Sequence, residues 1–227
     1  MMDDNKNYTL ECHDLCKTFN INHKMVSVVD HFSYSFRSGN LYVLKGSSGS
    51  GKSTLLSLLS LIQECDSGEV FLSEQRVENL NERGKQKLLL ERIGIVFQDS
   101  NLLTGLTVYD NIVLASVCEK SMSPEQIVDR ANENLALLGI EEIRDSYPMQ
   151  ISGGERQRAG IARAIMNNPD VLFCDEPISS LDEENAGIII RFLTEYCHSQ
   201  NKIVIVSCHS AAFDDQADEI IHLEDKK

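Results

Sequence analysis

The run Gly46-Ser47-Ser48-Gly49-Ser50-Gly51-Lys52-Ser53 constrains this chain more than any other feature. It satisfies GxxxxGK[ST] and stands between an apolar strand-like run, Leu41 to Lys45, and a leucine-rich segment of helical length. Strand, glycine loop and helix in that order let backbone N–H groups close around phosphates while the helix N-terminus adds positive potential. Lys52 can then neutralise β- and γ-phosphates, and the Ser53 hydroxyl can ligate Mg2+. A solvated Gly/Ser turn would need neither the Lys-Ser pair nor the apolar helix behind it.

Two further segments extend this chemistry. Val171-Leu172-Phe173-Cys174-Asp175-Glu176-Pro177 puts two acids at the end of a strand apolar enough to be central, where open α/β sheets bind ligands. Asp175 is expected to hold Mg2+, directly or through water, and Glu176 to accept the proton of an attacking water. Ile151-Ser152-Gly153-Gly154-Glu155-Arg156-Gln157-Arg158 opens a helix with a Ser-Gly-Gly turn, a second anion site distinct from the first.

The remaining pattern is α/β. Tyr8 to His13 and Val28 to Phe36 read as strands of a small antiparallel sheet, with Phe32, Tyr34 and Phe36 alternating with polar residues. Gly68 to Leu72 and Arg92 to Phe97 resume strand character. Thr107 to Cys118 and Pro124 to Leu138 read as helices, the second capped by Ser123 with Pro124 as its first residue. Beyond this helical insert, Gly154 to Asn167 (helix), Val171 to Cys174 (strand), Glu183 to Ser199 (helix) and Ile203 to Ser207 (strand) alternate as in a parallel sheet covered on both faces. The expectation is one domain over 1–227, with a helical subdomain at about 100–165 inserted in the α/β core.

Charge and cysteine usage bound the partners. Twenty-one Lys and Arg against 35 Asp and Glu leave a formal charge of −14, which repels phosphate backbones and disfavours a nucleic-acid binder. Seven cysteines without a small-scaffold pattern, behind the opening MMDDNKNY, argue for reduced thiols in a cytosolic protein. No run approaches the roughly 18 apolar residues of a membrane span. The richest, Leu55 to Ile62, is short and dotted with serines, and its leucines read as core. Cys12, His13, Cys16 and His23 lack the matched spacing of a zinc site, and the acids Asp214, Asp215, Asp218, Glu219 and Glu224 read as a solvated face.

In this order the motifs resemble those of the ATP-binding cassette family, the nucleotide-binding subunits of ABC transporters, over nearly the whole chain. Lys52 and Ser53 match its Walker A, Gln98 in VFQDSNLL its Q-loop, and Ile151 to Glu155 its signature. Asp175 and Glu176 match the Walker B, Ser180-Leu181-Asp182 the D-loop and His209 the switch histidine. The resemblance implies a P-loop NTPase core with a mostly parallel sheet, an N-terminal antiparallel β subdomain and a helical insert. It implies MgATP held by Gly46, Ser47, Ser48, Gly49, Ser50, Gly51, Lys52, Ser53 and Thr54, with Phe19 stacking on adenine. Gln98 would sense Mg2+ and the attacking water, Glu176 would be the base, and His209 would contact the γ-phosphate. Two copies would pack head to tail, with Ser152, Gly153, Gly154 and Asp182 of one completing the site of the other.

Tyr147-Pro148, SGGERQRAGIARAIMNNP and NLLTGLTVYDNI look most like the branch serving lipoprotein release, macrolide export and antimicrobial-peptide export. Such cassettes work with a separate membrane permease, which implies a cytoplasmic subunit held peripherally on the inner face of the membrane. A cassette that regulates or pulls on a membrane partner without moving solute is the alternative. A soluble cassette acting on DNA or ribosomes would call for coiled-coil insertions, paired cassettes or basic surface. Ile151, Ile178 and Cys208 depart from the leucine, threonine and threonine usual at their positions.

Overall fold

Three apolar strands with no polar alternation, Leu41–Lys45 (β3), Val171–Asp175 (β7) and Ile203–Ser207 (β8), form the centre of a five-stranded parallel sheet in the computed structural model, which describes residues 7–117 and 122–223. Ile93–Val96 (β6) and Glu219–His222 (β9) close its edges, in the order β6-β7-β8-β3-β9. Successive residues of the central strands point to opposite faces. Leu41, Val43, Leu172, Cys174, Val204 and Val206 join one core cluster, and Tyr42, Leu44, Val171, Phe173, Ile203 and Ile205 the other.

The first face is covered by helices: Val108–Leu114 (α3), Pro124–Leu137 (α4), Gly153–Ala164 (α5) and Glu183–Ser199 (α6). Ser123 caps α4 through a capping box with Gln126, and Pro124 stands in its first turn, as the sequence predicts. The second face takes the leucines of Lys52–Leu59 (α1), which are core, together with a four-stranded antiparallel sheet. That sheet contains Thr9–Ile21 (β1), Lys24–Arg37 (β2), Ser67–Leu72 (β4) and Gln75–Arg76 (β5), in the order β2-β1-β4-β5.

The elements differ from expectation in several places, among them α5, which ends at Ala164 rather than Asn167. β1 and β2 run to a turn at Asn22 and His23, longer than the two strands read from the sequence. Helix α3 ends at Leu114 and Ala115 to Val117 form a turn, while Cys118 lies outside the described residues. Glu82–Arg92 (α2) is a helix that the sequence reading passed over.

The acidic stretch near the end is not merely a solvated face. Asp218 accepts the Leu41 N–H at 2.7 Å and Asp214 pairs with Lys45. Tyr34 donates to Glu219, which begins β9 beside Tyr42 of β3. Glu224 lies outside the described residues.

Candidate active site

The loop between β3 and α1 depends on glycine at two points. A Cβ at Gly46 would strike the Ser50 side chain, and one at Gly51, whose φ is +96, would lie 2.7 Å from the Val28 carbonyl oxygen. Helix α1 has no acid in its first turn and no side-chain cap, so its leading N–H groups face the loop's interior with their positive potential uncompensated. Lys52 is buried. Its Nζ donates to the carbonyls of Gly46 at 2.9 Å and Ser47 at 3.0 Å, and lies 3.3 and 3.4 Å from the His209 ring nitrogens.

At the end of β7 one carboxylate oxygen gathers two hydroxyls. Ser53 Oγ lies 3.0 Å and Ser207 Oγ 2.6 Å from Asp175 Oδ1, and the Ser207 oxygen accepts the Glu176 N–H at 2.9 Å. Glu176 sits in the left-handed region, φ 47, with its side chain largely buried and Oε1 2.9 Å from His209 Nε2. Burial pushes its carboxyl pKa up, opposed by the charges of His209 and Lys52 and reinforced by Asp175. A hydroxyl and a carboxylate oxygen converging beside the phosphate loop are the hard-oxygen donors that Mg2+ takes with phosphate oxygens and water.

Lys52, Ser53, Glu176 and His209 share one cleft of about 560 Å3, whereas Gly46, Ser47, Ser50 and Asp175 are not among the residues lining it. Ser48, Gly49, Gly51, Lys52, Ser53, Thr54, Gln98, Glu176, Ser179 and His209 line it, and Phe19, Ile21 and Val28 of β1 and β2 form its apolar wall. Phe19 also has the Lys17 ammonium 5.9 Å from its ring centroid. Gln98 follows β6, where the neighbouring Phe97 carbonyl accepts from Gln157 Nε2 of α5 at 3.2 Å.

Ser152, Gly153, Gly154 and Asp182 are not among the residues lining this cleft. Ser152 caps α5 by a capping box: its Oγ accepts the Glu155 N–H at 3.3 Å, and Glu155 Oε2 accepts the Ser152 N–H at 2.7 Å. The Ser152 backbone N–H, and after it the Ser152 side chain, hold the Glu155 carboxyl below its usual pKa. Ser152 and Gly153 are exposed, whereas Gly154 is covered by Asn185. Asp182 caps α6 by accepting the Asn185 N–H at 2.8 Å, which lowers its own pKa.

Three contributors were not read from the sequence. Ser207 joins Asp175 to the Glu176 backbone, and the one polar residue in the strand IVIVS was the signal for it. Lys45 donates to the Ser210 carbonyl at 2.6 Å, anchoring the segment that carries His209. Asn185 links Gly154 to Asp182 through contacts that no local pattern announces. Ile178, unexplained by sequence, is buried in the same core cluster as Ile151 and Cys208.

Residues 29–179 match the family described as ABC transporter. A methionine import ATP-binding protein, MetN 1, of Listeria monocytogenes is 36% identical over 184 residues, 81% of this chain and 54% of that protein. Its counterpart in Listeria innocua matches to the same extent, so the chain spans about half the length of these curated relatives. Among solved structures, the dimeric post-hydrolysis state of the ATP-binding cassette MJ0796 bound to ADP and Pi has a TM-score of 0.88 at 29% identity, over 95% of this chain and 94% of that one. CbiO1 from Clostridium perfringens, part of the ABC transporter complex cbiONQ, has a TM-score of 0.83 at 25% identity, over 96% and 86%.

Proposed function

Because the chain belongs to the ABC transporter family, we propose that it is the ATP-binding and ATP-hydrolysing subunit of a transporter, driving a separate integral membrane permease. It acts as one cassette over 1–227, with the helices of 100–165 as an insert. The observation that carries the reading is the division of the site. One cleft gathers the lysine loop, Gln98, Glu176 and His209 but not the exposed Ser152–Gly153 helix start. A second copy packed head to tail would bring that helix start, with Asp182, to the γ-phosphate over the first copy's Lys52. The dimeric cassette MJ0796 is a precedent for two copies of this fold joined in a dimer.

In this reading the loop N–H groups and Lys52 hold the phosphates, and Phe19 stacks on the base. Ser53, Asp175 and Gln98 would hold Mg2+, which would supply charge neutralisation between the β- and γ-phosphates. Glu176 takes the proton of the attacking water, its raised pKa making it a better base than an exposed carboxylate. His209 reaches both Glu176 and Lys52, so it registers the γ-phosphate and the base together. ATP bound between two copies closes them and hydrolysis releases them, a two-state element a permease can follow.

No helix among the described residues is long and apolar enough to cross a membrane. A peripheral position on the inner face of the membrane, held by the permease, follows from the transporter reading. Export of a peptide, lipid or hydrophobic compound is the finer assignment, supported by the runs after Gln98 and around the signature. The named relatives import methionine.

The test of the core reading is Glu176→Gln. Turnover is expected to fall about 10²- to 10⁴-fold, with ATP retained and an ATP-dependent monomer-to-dimer shift in size-exclusion chromatography. Normal hydrolysis by the variant, or lone copies at saturating ATP, overturns it. Identifying the membrane protein that co-purifies, then measuring the direction of ATP-driven flux in proteoliposomes, decides between export, import and a cassette that moves no solute.

A further inference from the structure

The β1–β2 pair carries a group of side chains that the nucleotide cleft does not use. Its register slips between Cys12 and Leu15 and again between Leu15 and Lys17. Asp14 (φ 55) and His31 (φ 51) lie in the left-handed region, one on each strand. Beside these irregularities the sulfur of Cys16, a ring nitrogen of His31 and a carboxylate oxygen of Asp30 all lie within 4.8 Å of one another. The His31 backbone N–H donates to Cys16 Sγ at 3.3 Å. Asp14 Oδ1 lies 2.6 Å from His31 Nδ1, while Nε2 of the same ring faces Asp30 Oδ1 at 4.0 Å.

We propose that Cys16, Asp30 and His31 form a binding site for a divalent transition-metal ion of the zinc type, with Asp14 orienting the imidazole. One thiolate, one imidazole and one carboxylate are the donor set of Zn2+ and Co2+, not of Mg2+ or Ca2+. Asp14 on Nδ1 supplies the carboxylate–histidine arrangement that fixes a ligating ring and leaves the Nε2 lone pair for the ion.

The Nε2 to Asp30 distance of 4.0 Å is too long for a hydrogen bond. Two donors on one zinc lie roughly 3.4 Å apart in tetrahedral geometry, within a side-chain rotation of that distance. The thiol is held beside the ring by the His31 N–H and by the Asp14 carbonyl, to which it donates at 3.6 Å, so the three donors are already gathered without an ion.

Binding releases to solvent the Cys16 thiol proton and, from a protonated ring, the Nε2 proton, and leaves the Nδ1 proton on its bond to Asp14. His31 and Asp30 are well exposed, so an ion enters from solution and water completes its coordination. The site ties β1 to β2 three residues before Phe19 and two after Val28, at the foot of the cleft's apolar wall.

Titration of the full chain with Co2+, without nucleotide, tests this. A thiolate-to-cobalt charge-transfer band saturating at one equivalent and displaced by Zn2+ is expected. Cys16→Ser abolishes the band, His31→Ala weakens binding at least about tenfold, and Asp14→Asn keeps the band while weakening binding about 10- to 100-fold. Cys65→Ser leaves it unchanged. Absence of the band in the wild-type chain, its survival in Cys16→Ser, unweakened binding in His31→Ala, or its loss in Cys65→Ser overturns the proposal.

Discussion

His209 Nε2 lies 2.9 Å from Glu176 Oε1, so the residue just beyond β8 and the acid at the end of β7 form one electrostatic unit on the cleft floor. Burial raises the Glu176 pKa, and the His209 charge is the first influence that restrains the rise. Removing the imidazole leaves burial less opposed. In His209→Ala, the Glu176 carboxyl, followed by carbon-13 NMR in nucleotide-free protein, is expected to titrate at higher pH than in wild type. An unchanged or lower midpoint would contradict the coupling.

The same shift has a consequence for folding. Because the folded-state pKa of Glu176 lies above its unfolded value, the native state binds more protons between the two. Stability is therefore fullest below the unfolded pKa and falls as pH rises through the folded one. Glu176→Gln has no such proton to lose, so its urea midpoint should gain on wild type as pH rises through that window. Parallel curves for the two proteins would remove this linkage.

Ser207 is fully buried, donates to Asp175 and accepts from the Glu176 backbone. Ser207→Ala leaves that N–H without its acceptor, a loss of ~1–3 kcal/mol. Urea denaturation should register it, together with weaker MgATP binding as Asp175 loses a tether. A variant within ~0.5 kcal/mol of wild type would mean the bridge carries no net stability.

Gly49 and Gly51 both have positive φ, but an added Cβ at Gly49 meets nothing within 4 Å, whereas at Gly51 it lies 2.7 Å from the Val28 carbonyl oxygen. Alanine at either position carries backbone strain of ~1–3 kcal/mol. Only Gly51→Ala also pushes β2 away from the loop. It should melt lower than Gly49→Ala and lose more nucleotide affinity by calorimetry, and the reverse order would refute the steric argument.

How much of this was legible in the sequence follows from how local each determinant is. Leu41–Lys45, Glu183–Ser199 and Ile203–Ser207 fall on the expected residues, because uninterrupted apolar strands and an Asp-capped helix declare themselves within a few positions. Helix α2 did not, since Leu88 is its one buried residue and its pattern carries almost no apolar stripe. β9 went unread because its side chains are mostly exposed and β3 recruits it through backbone pairing, with Asp218 on the Leu41 N–H.

The left-handed residues Asp14 and His31 interrupt the period-2 pattern that would have given β1 and β2 their full length. Within the site, Lys52, Ser53, Gln98, Glu176 and His209, which line one cleft, were singled out by motif. Ser207 and Asn185, which hold Glu176 and Asp182 in place across 31 and 3 positions of sequence, were not.

The two glycines after Ser152 separate folding from assembly. A Cβ on Gly153 has only the Arg156 guanidinium near it, at 3.8 Å, whereas on Gly154 it would drive into the Asn185 side chain. Asn185 cannot readily yield. Its amide donates to both Asp182 oxygens at 3.0 Å, and its Oδ1 accepts from Arg158 at 2.5 Å. Gly154→Ala is therefore expected to lose ~1–3 kcal/mol to overpacking, against the ~1 kcal/mol that alanine gains in a helix. Gly153→Ala should be neutral or slightly stabilising in the monomer, because the position is exposed. If the head-to-tail arrangement holds, a methyl there stands between two copies, so in a Glu176→Gln background Gly153→Ala should abolish the ATP-dependent dimer while leaving ATP affinity intact. Dimerisation undiminished by Gly153→Ala would place this helix start away from the partner's phosphates.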